Sequence, residues 1–147
     1  SLETQNDDAS CFSILALLMP DLDYTRAVQK DHIHPAASFS LDKLSQCEFL
    51  EGKLEALEFF QNRENWNSIV NLHLLDESRN KSKQDRPFAD WLKEQEGLSL
   101  DGLLIPADAP LDFASFRTFV EKRSKHLYDI FKELGKSGES ADAGSIP

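Results

Sequence analysis

Apolar and polar positions are arranged along the chain in segments that predict several helices packed on one core. A continuous apolar run over residues 11–19, rich in leucine, predicts a short buried helix. Residues 41–65 and 113–134 carry apolar side chains at a spacing close to 3.6 residues, which predicts amphipathic helices. Gly135 is the expected end of the last helix, and residues 136–147 are expected to form a disordered tail.

Two segments have the pattern of β-strands. Residues 24–35 contain β-branched and aromatic side chains and end at a proline, so a strand is predicted to run up to Pro35. Residues 69–75 alternate between two faces and predict the second strand. Alternation puts Asp31 and His32 on opposite faces, so the two can share a site only where the first strand ends and twists.

Two short helices are predicted after the second strand. Ser78 is a suitable N-cap for the first, which contains Asn80. The second begins at Pro87, continues to Gln95 and buries Trp91. The pattern as a whole predicts one α+β domain, mostly α-helical, over residues 10–135, preceded by frayed residues 1–9.

The segment Asp31-His32-Ile33-His34-Pro35 gathers one acid and two histidines at a predicted chain reversal. A neutral histidine can accept a proton from water, and carboxylate oxygen is a preferred ligand of hard divalent cations. Motifs this short also occur by chance, in which case Asp31 caps a turn and the histidines are ordinary side chains. Taken alone, Asn71 and Asn80 are more typical of a strand-edge residue and a helix-start residue.

In combination, these segments resemble the HNH (ββα-metal) endonucleases, in the form found at the C-terminus of modification-dependent (type IV-like) restriction and phage-defence proteins. In that family a strand ends in Asp-His-Ile-x-Pro, a second strand opens with Asn, and another Asn follows nine residues later at a helix start. The matching residues are Asp31, His32, Ile33, Pro35, Asn71 and Asn80. The resemblance extends over about residues 12–134 and includes Trp91.

The resemblance implies a core of two strands and a helix embedded in surrounding helices, with the activity of a DNA endonuclease. It implies that His32 activates water for phosphodiester hydrolysis, and that Asn71 orients the imidazole or braces the loop. Asp31 and Asn80 are implied to hold one Mg²⁺ ion, for which Mn²⁺ can substitute. The implied products are a 5′-phosphate and a 3′-hydroxyl.

The net charge of −10 is unusual for a protein that binds DNA, because affinity for DNA comes largely from neutralising phosphates. The basic residues nearest to Asn80 are the expected contacts to the DNA backbone, and they are Arg79, Lys81, Lys83 and Arg86. We expect DNA recognition to be supplied by an N-terminal domain outside this chain, whose first residues are interpreted as a cut end of a longer protein or an addition for expression.

Two alternatives follow from the same residues. A degenerate HNH fold serving as a DNA-docking or interaction module is favoured by the acidic charge. A zinc site formed by His32, His34 and His73 with Asp31 is favoured by the affinity of imidazole for Zn²⁺. No apolar run is long enough to span a bilayer, and two cysteines without metal-ligand spacing are typical of a reducing cytoplasm.

Overall fold

The computed structural model describes residues 2–145, and their side chains through residue 136. The fold is α+β and mostly helical, as the sequence predicted, with one antiparallel sheet of two strands. The strands are β1 (Val28–His32) and β2 (Leu72–Asp76). The helices are α1 (Cys11–Leu18), α2 (Leu41–Leu44), α3 (Leu54–Gln61), α4 (Arg63–Trp66), α5 (Glu77–Lys83), α6 (Phe88–Lys93) and α7 (Phe116–Ser145). Short 3₁₀ turns occupy Ala36–Phe39, Glu48–Leu50, Ile69–Asn71 and Phe113–Ser115.

Both strands are shorter than the alternation of side chains predicted. Their register pairs Val28 with Asp76 at one end and His32 with Leu72 at the other. Residues 24–27 form turns instead of strand, because Asp23 accepts a hydrogen bond from the Thr25 amide and holds the chain in a local turn. Residues 69–71 form a 3₁₀ turn, so β2 begins one residue after Asn71.

The sheet and α5 form a ββα unit. Helix α5 follows β2 directly, and its N-cap is Asp76, whose carboxylate accepts a hydrogen bond from the Arg79 amide at 2.8 Å. The predicted N-cap, Ser78, lies inside the first turn of the helix. An acid at the N-cap satisfies a free amide and interacts favourably with the helix dipole, which explains why the helix begins two residues earlier than predicted.

Two clusters of buried apolar side chains hold this unit in place. Helix α1 covers one face of β2, in a cluster of Cys11, Leu15, Met19, Ile69, Val70, Leu72 and Leu74. The helices between the strands pack with α6 and α7 in the larger cluster, which includes Ile33, Phe39, Phe60, Trp91, Phe116 and Phe119. The predicted burial of Trp91 is confirmed, because none of its surface is exposed. No helix among the described residues is long and apolar enough to cross a membrane.

Both segments that were predicted to be frayed or disordered lie partly within the described residues. The Thr4 carbonyl accepts a hydrogen bond from the Ile69 amide, and the Asn6 amide donates to the Asn67 carbonyl at 2.7 Å. At the other end, α7 continues through Gly135 to Ser145. A glycine inside a helix costs only about 1 kcal/mol relative to alanine, so it does not by itself end one. The disordered tail over 136–147 stays a prediction, and its last two residues lie outside the described part of the chain.

Candidate active site

Asp31 lies near the end of β1, opposite His73 in β2. Its carboxylate is 14% exposed, and Oδ2 accepts hydrogen bonds from His73 Nε2 at 2.7 Å and Lys83 Nζ at 2.9 Å. Burial acts to raise the pKa of Asp31, but the hydrogen bond from His73 and the charge of Lys83 outweigh it and lower the pKa below its usual value. Asp31 is therefore an ionised carboxylate at neutral pH.

The imidazole of His32 is half-buried at the end of β1, beside the ring of Trp66. Its Nε2 lies 2.8 Å from Asn67 Oδ1, and an amide oxygen can only accept a hydrogen bond. Nε2 therefore carries the proton of the neutral ring, which leaves the lone pair on Nδ1. Burial lowers the pKa of His32, and the hydrogen bond to Asn67 only partly opposes the shift. His32 is thus a neutral base at pH 7.

Asn71 braces the chain reversal that follows His32. Its Oδ1 accepts a hydrogen bond from the His34 amide at 2.9 Å, and its Nδ2 donates to the carbonyl oxygens of His34 and Trp66. The side chain is fully buried. Of the two roles that the resemblance implied for Asn71, the described contacts match the bracing of the loop, whereas the imidazole of His32 is held by Asn67.

Asn80 lies on α5 and contacts β1 two residues before Asp31. Its Nδ2 donates a short hydrogen bond to Gln29 Oε1, and Gln29 and Asp31 share one face of the strand. The hydrogen bonds described engage Asp31 Oδ2 and Asn80 Nδ2. Asp31 Oδ1 and Asn80 Oδ1 therefore remain as oxygen atoms that could bind a metal ion. Because Mg²⁺ prefers oxygen ligands, this donor set fits the implied ion, although Lys83 already pairs with Asp31.

The predicted contacts to the DNA backbone need one correction, which concerns Lys83. Its side chain is fully buried, and Nζ donates to the His32 carbonyl at 2.7 Å as well as to Asp31. It points inward because α5 packs over β1, with every third residue facing the strand. The other three basic residues are more exposed, and each has an acidic partner: Arg79 with Asp76, Lys81 with Glu77, and Arg86 with Glu94.

His34 and His73 are buried and are held in separate environments. His34 is enclosed by four phenylalanine rings, of which Phe119 is the nearest at 4.9 Å between ring centroids. Burial lowers the pKa of His34 to about 3 and that of His73 to about 4, so both are neutral. Among the side chains described, no group of three or more His, Cys, Asp or Glu could hold a metal. The four ligands proposed for zinc are therefore not brought together.

Two residues of the site were not found from the sequence. Asn67 holds His32, and Arg123 of α7 donates hydrogen bonds to carbonyl oxygens of Ile69, Val70 and Leu72, which lead into β2. Arg123 is fully buried, and burial lowers its pKa to about 9, which leaves it charged at neutral pH. A polar residue within an apolar helical stripe was the available signal for Arg123, but it did not indicate a partner.

The ββα unit therefore contains a neutral histidine, the ionised carboxylate of the residue before it, and an amide on the helix that packs on the strand. Such groups can accept a proton from water and bind a hard cation, which are the requirements of phosphodiester hydrolysis. No family model matches the chain, and no curated protein shows significant similarity to it. A function for the site therefore has to be argued from its residues and their geometry.

Proposed function

We propose that the chain is a Mg²⁺-dependent DNA endonuclease domain of the HNH type. The observation that carries the proposal is the ββα unit, in which Asp31 and His32 end one strand beneath the helix that bears Asn80. The loop after His32 is braced by Asn71, so the base sits on a fixed backbone. Catalytic groups must be held rigidly in this way for proton transfer to be efficient.

His32 is the proposed general base. With Nε2 donating to Asn67, Nδ1 accepts a proton from the attacking water, and the imidazolium that forms is stabilised by the nearby Asp31 charge. Asp31 and Asn80 would hold the Mg²⁺ ion, which supplies positive charge to the phosphate and to the leaving oxygen. Water attack at phosphorus with departure of the 3′ oxygen gives a 5′-phosphate and a 3′-hydroxyl.

The proposed substrate is DNA, nicked or cut as the effector step of a bacterial restriction or phage-defence protein in the cytoplasm. This part of the proposal is supported by the resemblance of the Asp31-His32-Ile33 and Asn71 to Asn80 segments to HNH proteins of that type. The net charge of −10 supports a division of labour, in which another domain supplies affinity for DNA and this domain supplies cleavage.

A second candidate is a non-catalytic module that docks onto DNA or a protein partner. It is favoured by the ion pair between Lys83 and Asp31, which puts an ammonium group where the cation is proposed to bind. The acidic charge favours it as well. The two candidates differ in whether His32 and Asn80 are needed for a chemical reaction.

The test is the conversion of supercoiled plasmid to open-circle or linear DNA in the presence of Mg²⁺ or Mn²⁺. We expect His32→Ala and Asn80→Ala each to lower the cleavage rate about 100-fold or more, the scale of a lost general base or cation ligand. His126→Ala is the matched control, because it removes a histidine from α7, and none of the described hydrogen bonds or ion pairs joins His126 to Asp31, His32 or Asn80. It should cleave at the wild-type rate.

The melting temperature of each variant should stay within a few degrees of the wild type, so that lost cleavage reports lost chemistry. Cleavage retained by both His32→Ala and Asn80→Ala would contradict the assignment of the site. DNA binding without cleavage by the wild type, alone or joined to its recognition domain, would favour the docking module.

A further inference from the structure

Lys83 is a buried cation whose described side-chain hydrogen bonds are made with Asp31 and His32. The side chain leaves the last turn of α5, and its Nζ lies at the end of β1, 5.9 Å from the centroid of the Trp91 ring. There it donates to Asp31 Oδ2 at 2.9 Å and to the His32 carbonyl at 2.7 Å. A single ammonium group therefore connects the proposed cation ligand with the backbone of the proposed base.

The burial of Lys83 makes this pairing mandatory. A buried ammonium group without a negative partner is strongly unfavourable, and burial alone lowers the pKa of Lys83. Asp31 opposes that shift by charge and by hydrogen bonding. The carboxylate likewise depends on Lys83, because its other close partner, His73, is neutral.

A divalent cation bound to Asp31 would face the Lys83 ammonium across the same carboxylate group. Two positive charges on opposite sides of one carboxylate group repel each other, most strongly where burial excludes screening by water and salt. The cation must therefore either share Asp31 with Lys83, through the second carboxylate oxygen, or displace the ammonium from Oδ2. Both routes lower the affinity of the cation below that of an Asp31 and Asn80 pair without the lysine.

We propose that Lys83 is a built-in counter-ion of Asp31 that competes with the divalent cation and sets the affinity of the site for it. The proposal rests on the proposed function only in taking Asp31 as the cation ligand. Lys83 is a positioning residue, since it acts through Asp31 and the His32 backbone. In the absence of the cation it keeps Asp31 ionised and in place, so that the site does not need the cation to remain folded.

The test is direct binding of Mn²⁺, measured from the electron paramagnetic resonance signal of the free ion without any DNA. Lys83→Met replaces the ammonium by an apolar group of similar length, and Lys83→Gln keeps a hydrogen-bond donor without the charge. We expect both variants to bind Mn²⁺ about tenfold more tightly than the wild type. Lys83→Arg keeps the charge and should bind with the wild-type dissociation constant within about twofold.

Lys81→Met is the matched control, because it removes the same charge from the same helix at an exposed position that pairs with Glu77. Its effect on Mn²⁺ affinity should be less than about twofold. Asp31→Asn should remove the binding. The rise in melting temperature caused by Mn²⁺ gives a second readout, which should be larger in Lys83→Gln than in the wild type. Circular dichroism establishes that each variant is folded, and Lys83→Gln decides the matter if Lys83→Met does not fold.

The outcomes separate this proposal from the proposed function. If Mn²⁺ binding depends on Asp31 but is unchanged in Lys83→Gln, the proposed role of Lys83 as a competing counter-ion is wrong, whereas the proposed cation site stands. Binding that persists in Asp31→Asn shows that the cation is held elsewhere, which overturns both. Tighter Mn²⁺ binding in Lys83→Gln together with slower plasmid cleavage would support the counter-ion role of Lys83 and show that Lys83 also positions His32.

Discussion

Asn67 decides which nitrogen of His32 can act as a base. Its amide oxygen lies 2.8 Å from Nε2, and its own backbone is fixed by a hydrogen bond from Asn6 to its carbonyl oxygen. A histidine that lacks such a partner populates both neutral tautomers and rotates more freely. The half-buried imidazole therefore gains a defined tautomer from a residue that does not touch the proposed substrate.

Asn67→Ala should lower the cleavage rate roughly tenfold to a hundredfold, the scale of losing an outer hydrogen-bond partner in other sites. Because the hydrogen bond to Asn67 raises the pKa of His32 and burial lowers it, its loss lets the pKa fall further. A base with a lower pKa is neutral at lower pH. The acidic limb of the rate profile should therefore lie below pH 6.5 in the wild type and move to still lower pH in the variant.

The measurement is the pH dependence of plasmid nicking at fixed Mg²⁺. Asn65→Ala is the matched control, because Asn65 Nδ2 binds the Phe59 carbonyl and does not contact His32. An acidic limb at the same pH in the wild type and Asn67→Ala would contradict the role of Asn67.

How far the site could be predicted depends on the separation of its partners along the chain. Asp31 and His32 are adjacent, so a local motif was enough to single them out. The contact between His32 and Asn67 spans 35 residues, and the contact between Lys83 and the His32 carbonyl spans 51. A side chain engaged over such distances has no local signal, which is why Lys83 was predicted to lie on the surface with its basic neighbours.

Among the elements, α7 contributes more than an apolar face. Arg123 donates hydrogen bonds to carbonyl oxygens on two segments, at Ile69, Val70, Leu72, Leu103 and Leu104. Buried carbonyl groups at the end of a 3₁₀ turn have no strand partner and need a donor. One guanidinium, with five N–H groups, therefore fixes the turn that contains Asn71 to the long helix.

Arg123→Met should lower the free energy of unfolding by at least about 3 kcal/mol, because several buried carbonyl groups lose their donor at once. Lysine has fewer hydrogen-bond donors than arginine and a different geometry. The free energy of unfolding of Arg123→Lys should therefore lie between that of Arg123→Met and that of the wild type. The matched control is Arg117→Met on the same helix, where the exposed side chain makes loose ion pairs with Glu55 and Glu121 and lies over the Phe59 ring, but donates to no buried carbonyl group described. It should cost less than about 1 kcal/mol.

Unfolding in urea, followed by circular dichroism, measures all three variants. An effect of Arg123→Met no larger than that of Arg117→Met would show that the carbonyl groups find other partners. Plasmid cleavage per folded molecule is a useful companion measurement, since the turn that contains Asn71 should be disturbed before the helix is.

The existence of the elements could be predicted from periodicity, whereas their ends could not. The 3.6-residue pattern indicated α7, β-branched and aromatic side chains indicated the first strand, and alternation indicated the second. Their ends depend on single hydrogen bonds, such as the capping of α5 by Asp76, and on the tolerance of a helix for Gly135. These contributions are about 1 kcal/mol each and are easily outweighed by packing elsewhere in the fold.

The whole molecule carries a net negative charge, which repels DNA, and its basic residues near the site are largely neutralised by ion pairs with acidic side chains. Arg86 Nη2 lies 2.6 Å from a carboxylate oxygen of Glu94, and Lys81 Nζ lies 3.0 Å from one of Glu77. Lys83 is buried against Asp31. The face of α5 therefore presents few free cations to a phosphate backbone, although its sequence is rich in lysine and arginine.

Freeing these cations should strengthen binding to DNA. Glu77→Gln combined with Glu94→Gln removes the ion-pair partners of Lys81 and Arg86. Each new phosphate contact should steepen the fall of log K for DNA binding against the logarithm of salt concentration by about 0.9. We expect affinity for a labelled duplex to rise about threefold to tenfold at low salt, measured by fluorescence anisotropy without divalent cations. The control pair, Asp129→Asn with Glu133→Gln, removes the same charge from ion pairs on α7. Equal gains in both pairs would show that affinity for DNA depends on net charge alone. A gain confined to the first pair would identify the surface that carries Lys81 and Arg86 as the one that meets the DNA backbone.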